Sequence, residues 1–375
     1  MSSFADVMEQ TDFAAVRELI ASRTASDVEH ALAAEQLSAD DLAALLSPAA
    51  ADFIEQMAQR SAALTEQRFG RVVQMYAPLY LSNECVNKCT YCGFSHELKI
   101  ARKTLSVEEV VREAKLIREE GFRHLLLVSG EDRRFVNIPY LLEVVSEMNK
   151  IFDSLAIEIQ PLQEDEYRQL VLAGVDGLVI YQELYDPERY RLYHVAGPKR
   201  NYRNRLLAIE GGGRAGMRSL GIGTLLGLGD WRTEAWSVGL HGRWLSRHFW
   251  QSRLAVSFPR IRDCAGEYTP DLPVGDPEFV QMICAMRLFL PDAELVMSTR
   301  EPAALRDNLI GLGVTRMSAG SKTNPGGYAS QDHEGEQFEI EDGRPPEEIA
   351  RIIEERGFEA VWKDFDREFV APRGG

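Results

Sequence analysis

Three cysteines, Cys85, Cys89 and Cys92, lie within eight positions of one another. Their Cys-x3-Cys-x2-Cys spacing suits an iron–sulfur cluster, because thiolates are the protein ligands of such clusters. Three thiolates are one fewer than the four that close a cluster site, so one iron would stay open to a substrate or cofactor. The alternatives are a tetrahedral zinc site completed by His96 and three unrelated buried thiols.

The composition is that of an ordinary globular protein. The 375 residues are 45% hydrophobic and 27% charged, which allows a large core. A net charge of −16 argues against nucleic-acid or membrane surfaces as partners. No apolar run approaches the ~20 residues of a membrane span, and the first dozen residues lack a signal-peptide pattern. Five cysteines without a disulfide framework favour a cytoplasmic location.

After a helical start, short β-leaning runs alternate with helical stretches. Ser106 with Glu109 and Ser298 with Glu301 are capping boxes, which predict helices at Val107–Glu120 and near Pro302–Leu312. Eight βα units in succession predict an α/β protein with a closed (β/α)8 barrel of the TIM type. A doubly wound open sheet is the alternative, but its glycine fingerprint is absent. The eight predicted strands are Met75–Leu81, His124–Val128, Leu155–Ile159, Gly177–Tyr181, Ser219–Thr224, Leu254–Phe258, Ala293–Met297 and Val314–Ala319.

We divide the chain into a helical N-terminal extension (1–66), the barrel (67–321) and a C-terminal tail (322–375). The tail is polar and glycine-rich, with one predicted helix at Pro346–Arg356, and is expected to cover an end of the barrel. Barrels of this type place their chemistry at the C-terminal ends of the strands. The cysteine loop follows the first predicted strand, so it lies at the expected end.

The cysteine motif, Cys85-Val-Asn-Lys-Cys89-Thr-Tyr91-Cys92, resembles the signature of the radical S-adenosylmethionine (SAM) superfamily, with Tyr91 in its aromatic position. Further motifs resemble the ThiH family, the tyrosine lyases or 2-iminoacetate synthases of thiazole (thiamine) biosynthesis. These motifs are Ala77–Cys85, Ser129–Glu131, Glu158–Pro161, Tyr181–Tyr185, Ser257–Arg262, Ser298–Glu301, Met317–Ser321 and Val361–Phe365.

The resemblance implies a [4Fe–4S] cluster on Cys85, Cys89 and Cys92, with SAM bound to the open iron. A 5′-deoxyadenosyl radical would take a hydrogen from the amino group of L-tyrosine. Cleavage of the Cα–Cβ bond would then leave 2-iminoacetate (dehydroglycine) and p-cresol. The resemblance also implies flavodoxin or ferredoxin as the electron donor, and the thiazole synthase ThiG as the partner that receives the imine.

Several alternatives remain at this point. The maturase HydG resembles the same barrel but carries further cluster cysteines near its C-terminus, whereas only Cys264 and Cys284 follow Cys92 here. A second cluster is therefore not expected. Tryptophan lyase also shares the barrel, and no residue separates a phenol pocket from an indole pocket. A zinc-dependent barrel enzyme and a non-catalytic iron–sulfur protein are the alternatives from other classes.

Polar side chains near the strand ends are assigned to the cofactor by the resemblance. Glu158 lies in an apolar run, where an unpaired carboxylate is costly to bury, so it should meet a donor such as SAM. A solvated loop carboxylate is the alternative for Glu131, and an ion pair with Arg203 or Arg205 is the alternative for Gln182 and Glu183. The predicted cofactor contacts are Ser129, Glu131, Glu158, Gln182, Glu183 and Arg203.

Other strand-end residues are assigned to the amino-acid substrate. Arg300 offers a planar fork that matches a carboxylate, and Ser318 or Ser321 could add a hydroxyl to the same contact. Tyr80, which ends the first predicted strand, could hold the substrate beside the radical source. Arg260 and Arg262 compete with Arg300 for the carboxylate, unless they pair with Asp263 or Glu267.

Overall fold

A closed barrel of parallel strands forms the centre of the molecule. The computed structural model describes residues 3–331 and 333–362. Its strands are β1 (Val72–Ser82), β2 (Lys88–Cys89), β3 (His124–Ser129), β4 (Ser154–Glu158), β5 (Gly177–Val179), β6 (His194–Ala196), β7 (Ser219–Gly223), β8 (Arg253–Ser257), β9 (Glu294–Met297), β10 (Arg316–Ser318) and β11 (Glu359–Val361). Strands β1, β3, β4, β5, β7, β8, β9 and β10 pair in that order, and β10 returns to β1. The predicted (β/α)8 barrel is confirmed, and each predicted strand overlaps one barrel strand.

Helices surround the barrel. They are α1 (Phe4–Glu9), α2 (Phe13–Ala21), α3 (Ala25–Ala33), α4 (Ala39–Leu45), α5 (Ile54–Phe69), α6 (Val107–Glu119), α7 (Ile138–Met148), α8 (Glu164–Ala173), α9 (Pro187–Tyr193), α10 (Tyr202–Ala215), α11 (Trp231–His248), α12 (Asp276–Phe289), α13 (Ala303–Leu309), α14 (Gly327–Ser330) and α15 (Pro346–Glu355). Helix α6 begins at the predicted capping box, where Ser106 Oγ accepts from Glu109 N. Among the described helices, none has the length and apolar character needed to cross a bilayer.

The N-terminal helices pack on the outer helices of the barrel. The Phe4 ring stacks on His241 of α11, with ring centroids 4.2 Å apart. Gln281 of α12 donates from Nε2 to the carbonyls of Leu45 and Ser47, at 2.9 Å each. The first contact supplies a partner for a carbonyl in the last turn of α4, and the Ser47 carbonyl also accepts from Ala50 N at 3.2 Å. The extension is therefore bonded to the barrel through side chains as well as through apolar packing.

The tail returns to both ends of the barrel. Strand β11, which was not predicted from the sequence, pairs in parallel with the start of β1, with Val72 opposite Glu359. Arg306 of α13 and Asp342 form an ion pair in which neither side chain is exposed. Gln337 and Phe338, which precede Asp342 in the chain, border the cavities at the C-terminal end of the barrel. The last residues of the Val361–Phe365 motif lie outside the described residues.

A cavity also lies in the barrel interior towards the N-terminal ends of its strands. Its wall includes the small residues Ala156, Gly177, Gly221 and Ala255. Larger branched side chains usually fill these layers of a TIM barrel. Because the cysteines lie at the opposite end, this cavity is separate from the candidate site described next.

Candidate active site

The cysteine loop begins where β1 ends and is held by a short antiparallel ribbon. Strand β2 contains Cys89, which pairs with His194 of β6. His194 Nδ1 lies 2.8 Å from the Tyr190 carbonyl, so that nitrogen donates and Nε2 accepts the Tyr91 hydroxyl at 2.8 Å. The aromatic residue of the motif therefore anchors the loop from behind.

Arg102 fastens the same loop to the end of β1. Its guanidinium donates to the carbonyls of Asn83 (2.5 Å), Phe94 (2.9 Å), Ser95 (2.7 Å) and Leu98 (3.3 Å). One planar group thus satisfies four loop carbonyls on both sides of the cysteines. Arg102 was not predicted to be part of the site, because nothing in the local sequence pattern distinguishes it from a surface arginine.

The three thiols suit a cluster better than a single ion. Burial raises the pKa of Cys92 to about 11 and that of Cys89 further above its usual range. Within the described residues, no three Cys, His, Asp or Glu side chains converge on one ion position. His96, the fourth ligand of the zinc alternative, is exposed, and its Nδ1 lies 3.2 Å from the Cys85 carbonyl. Thiolates of a cuboidal cluster bind separate irons, so they need not converge.

A buried network of charges lies beside the cysteine loop. Glu131 accepts from Arg205 and from Asn87 Nδ2, at 2.8 Å each. Lys199 Nζ donates to Glu183 at 2.8 Å, and a guanidinium nitrogen of Arg205 lies 3.7 Å from the same carboxylate. The four charged side chains are 7–13% exposed, so the network is almost entirely desolvated. The charges of the two cations and the two carboxylates therefore cancel at the mouth of the barrel.

The electrostatics of the network keep its carboxylates ionised. Burial alone would raise the pKa of Glu131, but the charges of Arg205 and Lys199 outweigh it and lower that pKa. Lys199 and Arg205 likewise lower the pKa of Glu183 against the effect of burial. At Glu158, burial and the nearby Glu183 charge outweigh the opposing charges of Arg300, Arg205 and Lys199 and raise its pKa to about 7. The backbone of Glu183 is strained as well, with a φ of +70° that non-glycine residues rarely adopt.

Two adjoining cavities open at the C-terminal ends of the strands. The first, which we call the cysteine-side cavity, is bordered by Cys92, Glu183 and Lys199. The second, the Tyr80-side cavity, has a wall that includes Tyr80, Ser318 and Ser321. The residues that line both cavities are Glu158, Tyr181, Pro259, Arg300 and Phe338.

Arg300 is the available cation between these cavities. It forms no ion pair with any carboxylate of the described residues, and its guanidinium lies 3.3 Å from the centroid of the Phe338 ring. The competing arginines are engaged, but not with Asp263 or Glu267, the partners suggested by the sequence. Both bind Glu301, and Arg260 also binds Asp276 while Arg262 binds Glu341.

Two serine hydroxyls at this end of the barrel have unused hydrogen-bonding capacity. Ser129 Oγ and Ser321 Oγ are buried, with no hydrogen-bond partner among the described residues. Buried hydroxyls normally have hydrogen-bond partners. These two serine hydroxyls are therefore available to a bound group such as SAM or an amino acid. Ser318 Oγ already accepts from Thr299 N at 3.1 Å, and the Tyr80 hydroxyl donates to Gln337 Oε1 at 2.8 Å.

The structure places two of the predicted cofactor contacts elsewhere. Gln182 follows the inward-facing Tyr181, so its side chain points away from the cavities, and its Nε2 lies 3.5 Å from the Tyr202 carbonyl on α10. Arg203, on the same helix, is paired with Asp6 and Glu9 of α1. Arg205, two residues further on, reaches the mouth instead.

Comparison with known proteins agrees with this geometry. Residues 79–235 match the radical SAM superfamily, and residues 257–359 match the biotin and thiamin synthesis associated domain. The 2-iminoacetate synthase of Escherichia coli (strain K12) is 47% identical over 98% of this chain and 97% of that protein. The chain belongs to the 2-iminoacetate synthase family of radical SAM enzymes. The family resemblance inferred from the motifs is thereby confirmed, and radical SAM enzymes use SAM with an iron–sulfur cluster.

The fold of this member of the 2-iminoacetate synthase family is also found in solved structures. The maturase HydG from Carboxydothermus hydrogenoformans has a TM-score of 0.85 and 32% identity, covering 96% of this chain and 83% of that one. Methylornithine synthase (PylB) has a TM-score of 0.72 at 20% identity, covering 92% of this chain and 99% of that one, which shows a shared fold alone.

Proposed function

We propose that the protein cleaves the Cα–Cβ bond of L-tyrosine to yield 2-iminoacetate and p-cresol. The observation that carries this proposal is the unpaired Arg300 guanidinium, which faces both cavities at the mouth of the barrel. A bidentate arginine matches the carboxylate of an amino acid. Family membership supports the proposal, because the E. coli relative at 47% identity is a 2-iminoacetate synthase.

We assign the cysteine-side cavity to the cofactors. Cys85, Cys89 and Cys92 would hold a [4Fe–4S] cluster, and Glu131, Glu183 and Ser129 would contact SAM beside it. When bound, the reduced cluster and SAM supply a 5′-deoxyadenosyl radical. The protein binds and orients the two groups, with Arg205 and Lys199 holding the carboxylates in place.

We assign the Tyr80-side cavity to the amino acid. Arg300 would bind the carboxylate, and the unused Ser321 hydroxyl would add a hydrogen bond to it. The amino group would then point towards the cysteine-side cavity, past Glu158, which lines both. Gln337 and Phe338 of the tail lie over the mouth and limit the access of water, which matters because the imine product hydrolyses.

Product analysis with two amino acids tests the assignment. The chain is reconstituted anaerobically with iron and sulfide, reduced, and incubated with SAM and either tyrosine or tryptophan. We expect p-cresol and 2-iminoacetate from tyrosine and little C–C cleavage of tryptophan. Cleavage of tryptophan in preference to tyrosine would reassign the substrate. SAM cleavage without any amino-acid product would refute the lyase proposal.

We also propose that flavodoxin or ferredoxin supplies the electron and that the thiazole synthase ThiG accepts the imine. Both partners follow from the family and the reactivity of the product. Co-incubation with ThiG, together with a sulfur donor and a source of the remaining ring carbons, should increase the thiazole formed per p-cresol released. A yield that does not depend on ThiG would remove it as the acceptor.

A further inference from the structure

A side chain of the C-terminal tail lies between one of the cysteines and Tyr80. Gln337 Nε2 lies 3.7 Å from Cys92 Sγ, while Gln337 Oε1 accepts from the Tyr80 hydroxyl at 2.8 Å. Only the amide nitrogen can donate to a thiolate, and the thiolate can only accept. Reversing the amide would place its oxygen against the sulfur. The thiolate contact therefore fixes the orientation, and the Tyr80 hydroxyl, which can donate or accept, is compatible with it.

The backbone around Gln337 is fixed by the cysteine loop and by the segment after β10. Gln337 N donates to the Thr323 carbonyl at 3.0 Å, and Gly93 N donates to the Gln337 carbonyl at 3.1 Å. A Cβ atom at Gly93 would lie 2.5 Å from that carbonyl oxygen, so the close approach of loop and tail requires glycine. Thr323 Oγ1 also donates to the Phe338 carbonyl at 2.9 Å. The position of Gln337 is thus fixed by three hydrogen bonds to the backbone of residues 337 and 338.

We propose that Gln337 raises the reduction potential of the cluster by donating a hydrogen bond to the Cys92 thiolate. Hydrogen bonds to the sulfurs are among the factors that set the potentials of iron–sulfur clusters. An N–H donor stabilises the extra negative charge of the reduced form, so its presence makes reduction easier. The inference rests on the proposed function, because it requires a cluster at Cys92.

The Tyr80 contact gives Gln337 a second role. The phenol hydroxyl holds the amide oxygen and thereby aims the nitrogen at the sulfur. Tyr80 also lines the cavity that we assign to the amino acid. Gln337 is therefore a positioning residue that joins the cluster ligand to the wall of the substrate cavity.

The test is a potentiometric titration of the reconstituted full chain, followed by electron paramagnetic resonance of the reduced cluster. At the midpoint potential of the unmodified protein, Gln337→Leu should lower the ratio of reduced to oxidised cluster about tenfold, which is ~59 mV for a one-electron couple. Gln337→Glu keeps the acceptor for Tyr80 but replaces the donor with a carboxylate, so its ratio should fall further. Glu339→Gln, on an exposed side chain of the same tail, is the control and should leave the midpoint unchanged.

Iron and sulfide content per chain must be equal before the midpoints are compared. If Gln337→Leu does not retain the cluster, Tyr80→Phe serves instead, because it removes the hydroxyl that holds the amide. Tyr80→Phe should lower the ratio of reduced to oxidised cluster by a smaller factor than Gln337→Leu. Midpoints unchanged in Gln337→Glu and Tyr80→Phe would overturn the inference while leaving the proposed function intact. A wild-type chain that assembles no cluster would instead refute the proposed function.

Discussion

Arg205 donates to the Glu131 carboxylate over 2.8 Å, and the two side chains are only 7% and 11% exposed. The same guanidinium lies 3.7 Å from Glu183, so one cation serves carboxylates from the loops after β3 and β5. Breaking a buried ion pair leaves the remaining charge without compensation, which costs more than the pair contributes when intact. Arg205 therefore holds together two loops that we assign to SAM.

Replacing Arg205 by methionine should destabilise the protein by about 3–5 kcal/mol, because Glu131 would remain buried without its cation. SAM binding should weaken about tenfold or more, equivalent to ~1.4 kcal/mol, as the carboxylates move. Urea denaturation and calorimetric titration of SAM measure the two effects. Arg203→Met is the matched control, since its solvent-screened pairs with Asp6 and Glu9 should contribute little to stability. Equal losses in the two variants would contradict the account.

Arg300→Lys should lower kcat/KM for tyrosine about 10- to 100-fold. An ammonium cannot reproduce the two hydrogen bonds that a guanidinium makes with a carboxylate. Each hydrogen bond to a charged group is worth ~1.5–3 kcal/mol. Steady-state release of p-cresol measures this effect. The stability of the protein should change little, since Arg300 has no ion pair among the described residues. Arg112→Lys, on an exposed side chain, is the control. An unchanged kcat/KM in Arg300→Lys would remove this residue from the substrate site.

Glu234 should make stability depend on pH. Burial raises its pKa from 4.5 to about 7, although Tyr185 N and Asp186 N donate to its carboxylate. The folded state therefore binds a proton more tightly than the unfolded state. The stability gained from this proton is complete below pH 4.5 and is lost as pH rises through about 7.

Replacing Glu234 by glutamine tests that sign. The amide cannot accept both backbone N–H groups, so the variant should lose about 1–3 kcal/mol. The difference in unfolding free energy between wild type and Glu234→Gln should shrink as pH rises from 4.5 to about 7. Chemical denaturation at several pH values measures it, with the exposed Glu119→Gln as control. A difference that grows with pH would show that the sign is wrong.

The Arg306–Asp342 pair should hold the tail over the mouth of the barrel. Both side chains are fully buried, and Arg306 also donates to the Ser318 carbonyl. Asp342→Asn should cost about 3–5 kcal/mol and should increase amide hydrogen exchange in residues 333–342. Arg351→Met, which breaks an exposed pair with Glu355, should alter exchange only locally. Unchanged exchange in the tail of Asp342→Asn would mean that other contacts hold it.

The barrel was predictable because each of its parallel strands is buried on both faces and reads as a short apolar run. Strand β3 is the clearest example, since all six of its residues are buried. Strand β11 was missed because Glu359, Ala360 and Val361 form a run too short to stand out. Its pairing depends on the exposed edge at the start of β1, which is a tertiary feature.

The site was only partly predictable, since a motif locates a residue along the chain but does not give its direction. Arg203 and Arg205 are two positions apart on a helix, where successive residues turn by ~100°, so they face in nearly opposite directions. Gln182 and Glu183 are neighbours that likewise face apart, and the φ of +70° at Glu183 follows no sequence pattern. Gln337 comes from an irregular segment, where periodicity gives no indication of what a side chain meets.

The most direct test of the account is the electron paramagnetic resonance spectrum of the reduced, reconstituted protein before and after SAM is added. An iron atom without a protein ligand should bind SAM, so the spectrum should change on addition, and Cys89→Ala should show neither the cluster signal nor the change. A colourless protein that retains zinc at Cys85, Cys89 and Cys92, or a cluster spectrum that SAM leaves unaltered, would contradict the open-iron site.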